Sequence, residues 1–215
     1  MFKNGIIATL LGLLLPGCAS TTQTPDWLEE AAKVHQEFHD ILNANPQATP
    51  ESRNFQISNA CTILEANPQW ASDLNRVHNQ WGVRPETLLA MIRQESSFRY
   101  DARPIKNGKR LSSAYGFAQA LDGTWEHYQQ ETGLTHHRRD NFAHASYFMG
   151  WYIDHINKVN KVSKHDVKNL YYSYHDGPTA ASRGSYLKKP WLIKVGVRME
   201  RHAADYEKQL DHCLG

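Results

Sequence analysis

Apolar residues recur at helical spacing along most of this chain, and runs that alternate between apolar and polar residues are almost absent. Trp70, Leu74, Val77 and Trp81, for example, share one face of a helix that Gly82 would end. Such an apolar stripe has to be covered by a neighbouring element, since exposing it to water is unfavourable. The pattern therefore predicts a mainly α fold made of short helices joined by loops.

The predicted helices begin and end at ordinary boundary signals. Asn67-Pro68 and Pro85 each open a helix, because proline is well accommodated in the first helical turn. Asn107-Gly108 favours a tight turn, so one small hairpin is expected near residues 105–111. The remaining helix candidates are residues 57–64, 124–131, 141–158, 167–174 and 191–210, with a further one beginning at Thr24.

The N-terminus carries the features of an export signal. Lys3 precedes an apolar run, Ile6 to Leu15, that is too short to cross a bilayer as a mature helix. The run ends in Leu15-Pro16-Gly17-Cys18, which resembles the lipobox of bacterial lipoproteins. The resemblance implies that residues 1–17 are a signal peptide and that Cys18 receives lipid. The alternative is ordinary secretion, with a cysteine there by coincidence.

A lipid on Cys18 would make the membrane a partner of the chain. Ala19 follows where the sorting pattern of lipoproteins has Asp for inner-membrane retention. The resemblance therefore implies an outer-membrane lipoprotein that faces the periplasm. Residues 18–50 are expected to form a tether and an N-terminal helix, and residues 51–215 the main domain.

Cysteine content and charge limit the function further. Cys61 and Cys213 remain once Cys18 is lipidated, and two cysteines in an exported chain can form one disulfide or stay separate thiols. A disulfide would tie the C-terminus to the first helix of the domain.

The net charge is only +2 and no basic stripe is visible, so nucleic acid is not expected as a partner.

Glu95 is the first candidate for chemistry. It follows Leu88, Met91 and Ile92 on one helical face, so its carboxyl should point into the interior with the apolar stripe. An apolar setting disfavours the ionised form and raises the pKa, which suits a general acid near neutral pH. Ser96 follows Glu95 directly and offers a hydroxyl beside the carboxyl. On this pattern alone, a surface glutamate at a helix end is the alternative.

Two later segments supply polar and aromatic groups that suit a sugar. Tyr115 and Gln119 lie in Tyr115-Gly116-Phe117-Ala118-Gln119, a loop entering a helix, and the Gln119 amide could bind a sugar or the acid. Tyr174 and His175 lie in the tyrosine-rich segment 171–178, where rings suit sugar faces and phenols can support a carboxyl. Each segment alone could equally be structural, as a turn or an aromatic core patch.

Taken in order, these three segments resemble the soluble-lytic-transglycosylase family, whose catalytic domain has a goose-type-lysozyme-like fold. The resemblance covers roughly residues 65–205 and implies a helical, lysozyme-like domain with a substrate cleft. It implies that Glu95 is catalytic and that Ser96, Tyr115, Gln119 and Tyr174 lie near the substrate. His175 stands where the family usually has asparagine, so a role of that asparagine does not transfer to it. It is still a candidate for substrate contact, with a charge favoured by the helix C-terminus, and the alternative is that it packs on the outer side of the turn and supports Tyr174.

The resemblance also implies a reaction and a substrate. Glu95 would cleave peptidoglycan glycan strands between muramic acid and glucosamine, leaving 1,6-anhydromuramic ends, with no cofactor. We expect no metal, because the 12 histidines include the adjacent pair His136-His137, which would diverge on a helix. Two alternatives remain. One is a hydrolytic muramidase of the same fold that uses Asp101, Asp122 or Asp176, and the other is an inactive glycan-binding lipoprotein.

Overall fold

Helices account for most of residues 55–214, the part of the chain that the computed structural model describes. The signal segment, Cys18 and the helix predicted from Thr24 lie outside these residues. The mainly α prediction is confirmed. The elements, in chain order, are α1 (Ala60–Ala66), α2 (Gln69–Trp81), α3 (Pro85–Ser96), β1 (Ile105–Lys106), β2 (Lys109–Arg110), α4 (Asp122–Thr132), α5 (Phe142–Asn160), α6 (Val167–Asp176), α7 (Pro178–Ser182), a 3-10 turn (Ser185–Lys188) and α8 (Pro190–Leu214).

Local capping explains where several helices begin and end. Asn59 accepts hydrogen bonds from the backbone amides of α1, which starts the helix slightly later than the apolar pattern suggested. Asn141 and Asp166 cap α5 and α6 in the same way. Pro85 stands in the first turn of α3, and Gly82 ends α2 in the left-handed conformation at φ 67°. The sequence signals thus predicted most boundaries, although α7 and the 3-10 turn were missed.

The predicted hairpin is present as two very short strands. Ile105 pairs with Arg110 and Lys106 with Lys109 in an antiparallel register. Asn107 and Gly108 between them have φ values of 50° and 74°. Positive φ at both central residues is the conformation that an Asn-Gly hairpin turn adopts, so the prediction from this dipeptide is confirmed.

The core is arranged around α3. Leu88, Leu89, Met91 and Ile92 are fully buried, which makes this helix central rather than peripheral. It packs against α8, which also contacts α6, while α2 packs against α5. The C-terminal end of α3 is therefore enclosed by other elements, and that end carries Glu95.

A disulfide joins Cys61 of α1 to Cys213 of α8 across 152 positions of sequence, with the two Cα atoms 6.0 Å apart. Near it, the side-chain oxygen of Gln209 accepts a hydrogen bond from the backbone amide of Ala60 at 2.7 Å. The first and last helices of residues 55–214 are thus held together by a covalent bond and a polar contact. Within this range, no helix is long and apolar enough to span a lipid bilayer.

Candidate active site

Glu95 lies one residue before the end of α3 and is only 2% exposed. Burial in this apolar setting raises the pKa of its carboxyl to about 8, and the nearby Tyr171 phenol opposes part of that rise. The carboxyl is therefore mostly protonated at neutral pH. A protonated carboxyl with a pKa close to the working pH is suited to donate a proton and then to take one back.

Tyr171 of α6 places its phenol beside this carboxyl. Its ring is fully buried, and its hydroxyl makes no hydrogen bond of ordinary geometry. Burial, followed by the charge of Glu95, raises the pKa of the phenol well above its usual value, so it stays protonated as a donor. A protonated donor next to Glu95 stabilises the carboxylate when the proton leaves. Sequence reasoning singled out Tyr174 instead, although Tyr171 lies one helical turn before it on the same face.

Tyr174 links α6 to the loop that follows the hairpin. Its hydroxyl donates a hydrogen bond to the carbonyl of Ala118 at 2.6 Å. Burial raises its pKa first, and the charge of Glu95 raises it further, which places the phenol near the carboxyl. Glu95, Tyr171, Tyr174 and the loop around Ala118 therefore meet at one place, built from α3, α6 and the segment before α4.

The loop before α4 is held in an uncommon backbone conformation. Gly116 has a φ of 76°, and a Cβ at this position would overlap the carbonyl of Arg139. Gln119, which is not glycine, has a φ of 47°. Its side-chain nitrogen donates to the carbonyls of Ala102 at 3.0 Å and Gly116 at 2.8 Å. The Gln119 amide thus fixes the loop, and its oxygen accepts no hydrogen bond from any part of residues 55–214.

Ser96 occupies a different place from the one the sequence suggested. Its hydroxyl donates to the carbonyl of Ile92 at 3.2 Å, and the side chain has no exposed surface. The next two residues, Ser97 and Phe98, both have positive φ, so the chain turns sharply away after Glu95. In this structure Ser96 closes the helix end and offers no surface to a sugar.

Tyr115 is directed toward charged side chains. Its hydroxyl donates to a carboxylate oxygen of Asp140 at 3.3 Å. The guanidinium carbons of Arg103 and Arg139 lie 3.9 Å and 5.6 Å from the centre of its ring, within the range of cation–π attraction. The ring is half-buried between them, and none of these contacts joins Tyr115 to Glu95.

His175 is enclosed by its neighbours on α6 and α8. Its ring nitrogen Nδ1 lies 2.7 Å from a carboxylate oxygen of Asp176, and its ring meets Trp191 edge-on at 5.0 Å. The side chain is only 9% exposed, which leaves little surface for a substrate. Burial lowers its pKa despite the opposing hydrogen bond with Asp176. The expectation that the helix C-terminus would favour a charged His175 is therefore wrong, because desolvation outweighs the helix end.

Three of the 12 histidines come together after all. Ligand atoms of His136, His137 and His144 lie within 4.8 Å of one another, at the start of α5 and in the turn before it. The expectation that His136 and His137 would diverge assumed a helix, but both lie in a turn that folds back on His144. Within residues 55–214, these three histidines bring their ring nitrogens close enough together to be a candidate metal site by distance.

Comparison with known proteins agrees with this architecture. Residues 6–213 match the family model described as the transglycosylase SLT domain, which covers nearly the whole chain. A search of curated proteins found no match. A lytic transglycosylase of this family acts on peptidoglycan, and the helical domain with one small hairpin is consistent with a lysozyme-like fold. The chain therefore belongs to the transglycosylase SLT domain family.

Proposed function

We propose that the protein cleaves the bond between N-acetylmuramic acid and N-acetylglucosamine in peptidoglycan and leaves 1,6-anhydromuramic ends. Glu95 is the catalytic residue. The observation that carries the proposal is the enclosed Glu95 carboxyl, whose pKa is raised to about 8 by burial. The family match supports the peptidoglycan substrate.

The reaction needs one carboxyl acting twice. Protonated Glu95 gives its proton to the glycosidic oxygen, so that the bond to the muramic C1 breaks and glucosamine leaves with a new hydroxyl. The N-acetyl group of the muramic residue stabilises the positive charge at C1. The Glu95 carboxylate then takes the proton of the C6 hydroxyl while that oxygen bonds to C1. Tyr171 stabilises the carboxylate between the two steps, and we assign substrate contacts to Gln119 and Tyr174.

The surroundings of Glu95 favour this single-carboxyl mechanism over hydrolysis with two carboxylates. Within residues 55–214, no other carboxylate contributes to the shifted pKa of Glu95. Asp176 is only 1% exposed and is held by Ser185 and Lys189, with its pKa lowered to about 2. Asp122 forms an ion pair with Arg139, and Asp101 forms one with Arg99. The three aspartates that could have activated a water are thus engaged elsewhere.

Mass spectrometry of the products from purified sacculi tests the proposal. Anhydromuramic ends are expected from the wild type, and reducing ends would show the hydrolytic muramidase instead. Glu95→Gln keeps the shape of the side chain but removes its proton, so turnover should fall by at least about a hundredfold. Glu126→Gln, which changes an exposed glutamate of α4, is the matched control and should keep full activity. No products from the wild type would favour the inactive glycan-binding lipoprotein.

We also propose that lipid on Cys18 anchors the protein to the outer membrane, facing the periplasm. The support is the Leu15-Pro16-Gly17-Cys18 order at the end of a short apolar run. Several acyl chains on one protein give stable anchoring, whereas one gives only marginal binding. Cys18→Ala should therefore move the protein from the membrane fraction to the soluble fraction or leave it unprocessed. A wild-type protein found wholly in the soluble periplasmic fraction would contradict the anchor.

A further inference from the structure

A polar groove lies along one face of α2, and none of the residues described around Glu95 lines it. Its volume is about 540 Å³, and it is lined by Ser72, Asn75, Arg76, Asn79, Gln80 and Tyr147. The five residues from α2 follow the three-and-four spacing of one helical face, and Tyr147 of α5 forms the opposite wall. A solvated helix face commonly carries lysine and glutamate, whereas this one carries amides and a hydroxyl. Amide and hydroxyl groups hydrogen-bond the acetamido and hydroxyl groups of sugars.

The histidine cluster, His136, His137 and His144, lies beside this groove. The rings of His137 and Tyr147 are 5.9 Å apart, and those of His137 and His144 are stacked at 4.1 Å. Arg76, which lines the groove, lowers the pKa of both histidines through its charge, after the larger effect of burial. The histidine cluster therefore adjoins the groove at two of its lining residues, Tyr147 and Arg76.

A backbone hydrogen bond fixes which nitrogen of the His144 ring carries the proton, and a phenol engages the same nitrogen of His137. The backbone amide of Arg138 lies 3.1 Å from Nδ1 of His144, and because an amide N–H can only donate, this Nδ1 accepts. The hydroxyl of Tyr128 lies 2.6 Å from Nδ1 of His137. Burial raises the pKa of Tyr128 well above its usual value, so its phenol keeps its proton and is able to donate it to that nitrogen. The neutral His144 ring thus carries its hydrogen on Nε2, and the neutral His137 ring does the same when Tyr128 is the donor.

At His144 the cluster therefore presents an N–H donor rather than a lone pair. A metal ion needs an imidazole nitrogen with a free lone pair, and ligand rings converge on the ion in their own planes. Here the planes of His137 and His144 are within 11° of parallel, and the Nδ1 atoms of both rings are already engaged in hydrogen bonds. The Nε2–H of His144, with the Arg76 guanidinium close by in its ion pair with Asp73, instead suits an oxygen acceptor.

We propose that the α2 groove and its histidine cluster form a second peptidoglycan-binding site, which holds the N-acetyl sugars in the groove and a carboxylate of the stem peptide at the histidines. The proposal rests on the function proposed above, because peptidoglycan is the ligand that combines acetamido sugars with acidic peptides. A site separate from Glu95 would keep the enzyme on the cell wall while strands are cut and released.

Binding by the Glu95→Gln protein, which holds but does not cut the substrate, tests this site. Asn75→Ala/Asn79→Ala should weaken binding of both chitotetraose and a disaccharide-tetrapeptide by about tenfold, measured by calorimetry. His136→Ala should weaken binding of the disaccharide-tetrapeptide alone, because chitotetraose has no carboxylate. His136 is exposed, so its replacement should leave the fold intact. Gln130→Ala, on the surface of α4, is the matched control and should bind as the parent does.

Three results would overturn the second site. They are unchanged affinity in Asn75→Ala/Asn79→Ala, equal loss for both ligands in His136→Ala, and micromolar binding of Zn²⁺ that disappears in His144→Ala. The last would show that the ring nitrogens offer lone pairs. The product assay with Glu95 intact reports on the reaction separately. One outcome is that the groove variants still form anhydro ends from soluble fragments and bind sacculi as tightly as the wild type. That result would refute the second site and leave the proposed function intact.

Discussion

Replacing Glu95 by glutamine should stabilise the protein, and the gain should grow with pH. The carboxyl is 2% exposed, and burial raises its pKa from 4.5 to about 8. In the unfolded chain the carboxyl ionises above pH 4.5, whereas in the folded protein it stays protonated until about pH 8. The unfolded state therefore binds fewer protons between these values, so wild-type stability falls as pH rises.

The size of the effect follows from the same two pKa values. Each pH unit between them removes about 1.4 kcal/mol from the free energy of unfolding, so Glu95 should cost about 1 kcal/mol at pH 5 and about 3 kcal/mol at pH 7. A glutamine keeps the volume but does not ionise, which removes this pH-dependent loss. Since whole domains are stable by only about 5–15 kcal/mol, the difference is large enough to measure.

Urea unfolding followed by circular dichroism at pH 5, 6, 7 and 8 gives the required comparison. The unfolding free energy of Glu95→Gln, minus that of the wild type, should rise steadily across this range. Glu126→Gln alters an exposed glutamate and should show a difference that stays flat with pH. Parallel curves for Glu95→Gln and wild type would refute the reasoning, because the Glu95 carboxyl would then ionise at the same pH in both states.

Three further predictions concern the elements around the site. Tyr171→Phe removes the phenol that lowers the pKa of Glu95, so the alkaline limb of the kcat/KM profile should move to higher pH. A limb that does not move would show that the Tyr171 phenol has no effect on the Glu95 carboxyl. Gly116→Ala should destabilise the fold by about 2 kcal/mol or more in urea titrations and reduce activity, because φ is positive and the added Cβ overlaps the backbone of Arg139. A variant as stable as the wild type would contradict this prediction. Cys61→Ser/Cys213→Ser should lower the unfolding free energy by about 2–5 kcal/mol, and the reduced wild-type protein should behave like the variant. An unchanged urea midpoint of unfolding would count against the disulfide.

The fold was largely accessible from local patterns. Helix starts at Pro85 and Asn141, the stop at Gly82 and the turn at Asn107-Gly108 all follow from backbone chemistry that acts within a few residues. The inward direction of the Glu95 carboxyl was also predictable, since the apolar residues on the same helical face are buried. Short elements such as α7 carry too few residues for a period to emerge, so the pattern did not reveal them.

The contacts between elements were not accessible in the same way. Periodicity places Tyr171 and Tyr174 on one face of α6, but which phenol meets Glu95 depends on how α6 packs beside α3. His175 was misjudged because the helix end is a local effect, whereas its burial comes from Trp191 on another helix. The meeting of His137 with His144 depends on a turn that no apolar pattern predicts.

The positive φ values beside the Glu95 carboxyl bear on how this protein could be engineered. Ser97, Phe98 and Gln119 hold left-handed backbone that glycine would adopt without strain, a difference of about 1 kcal/mol or more at each position. At Gln119 the two hydrogen bonds of the amide offset this cost, so glycine would relieve the backbone but release the loop beside Glu95. A screen for heat resistance alone would not detect a loosened loop, so it needs a simultaneous selection for cell-wall cleavage.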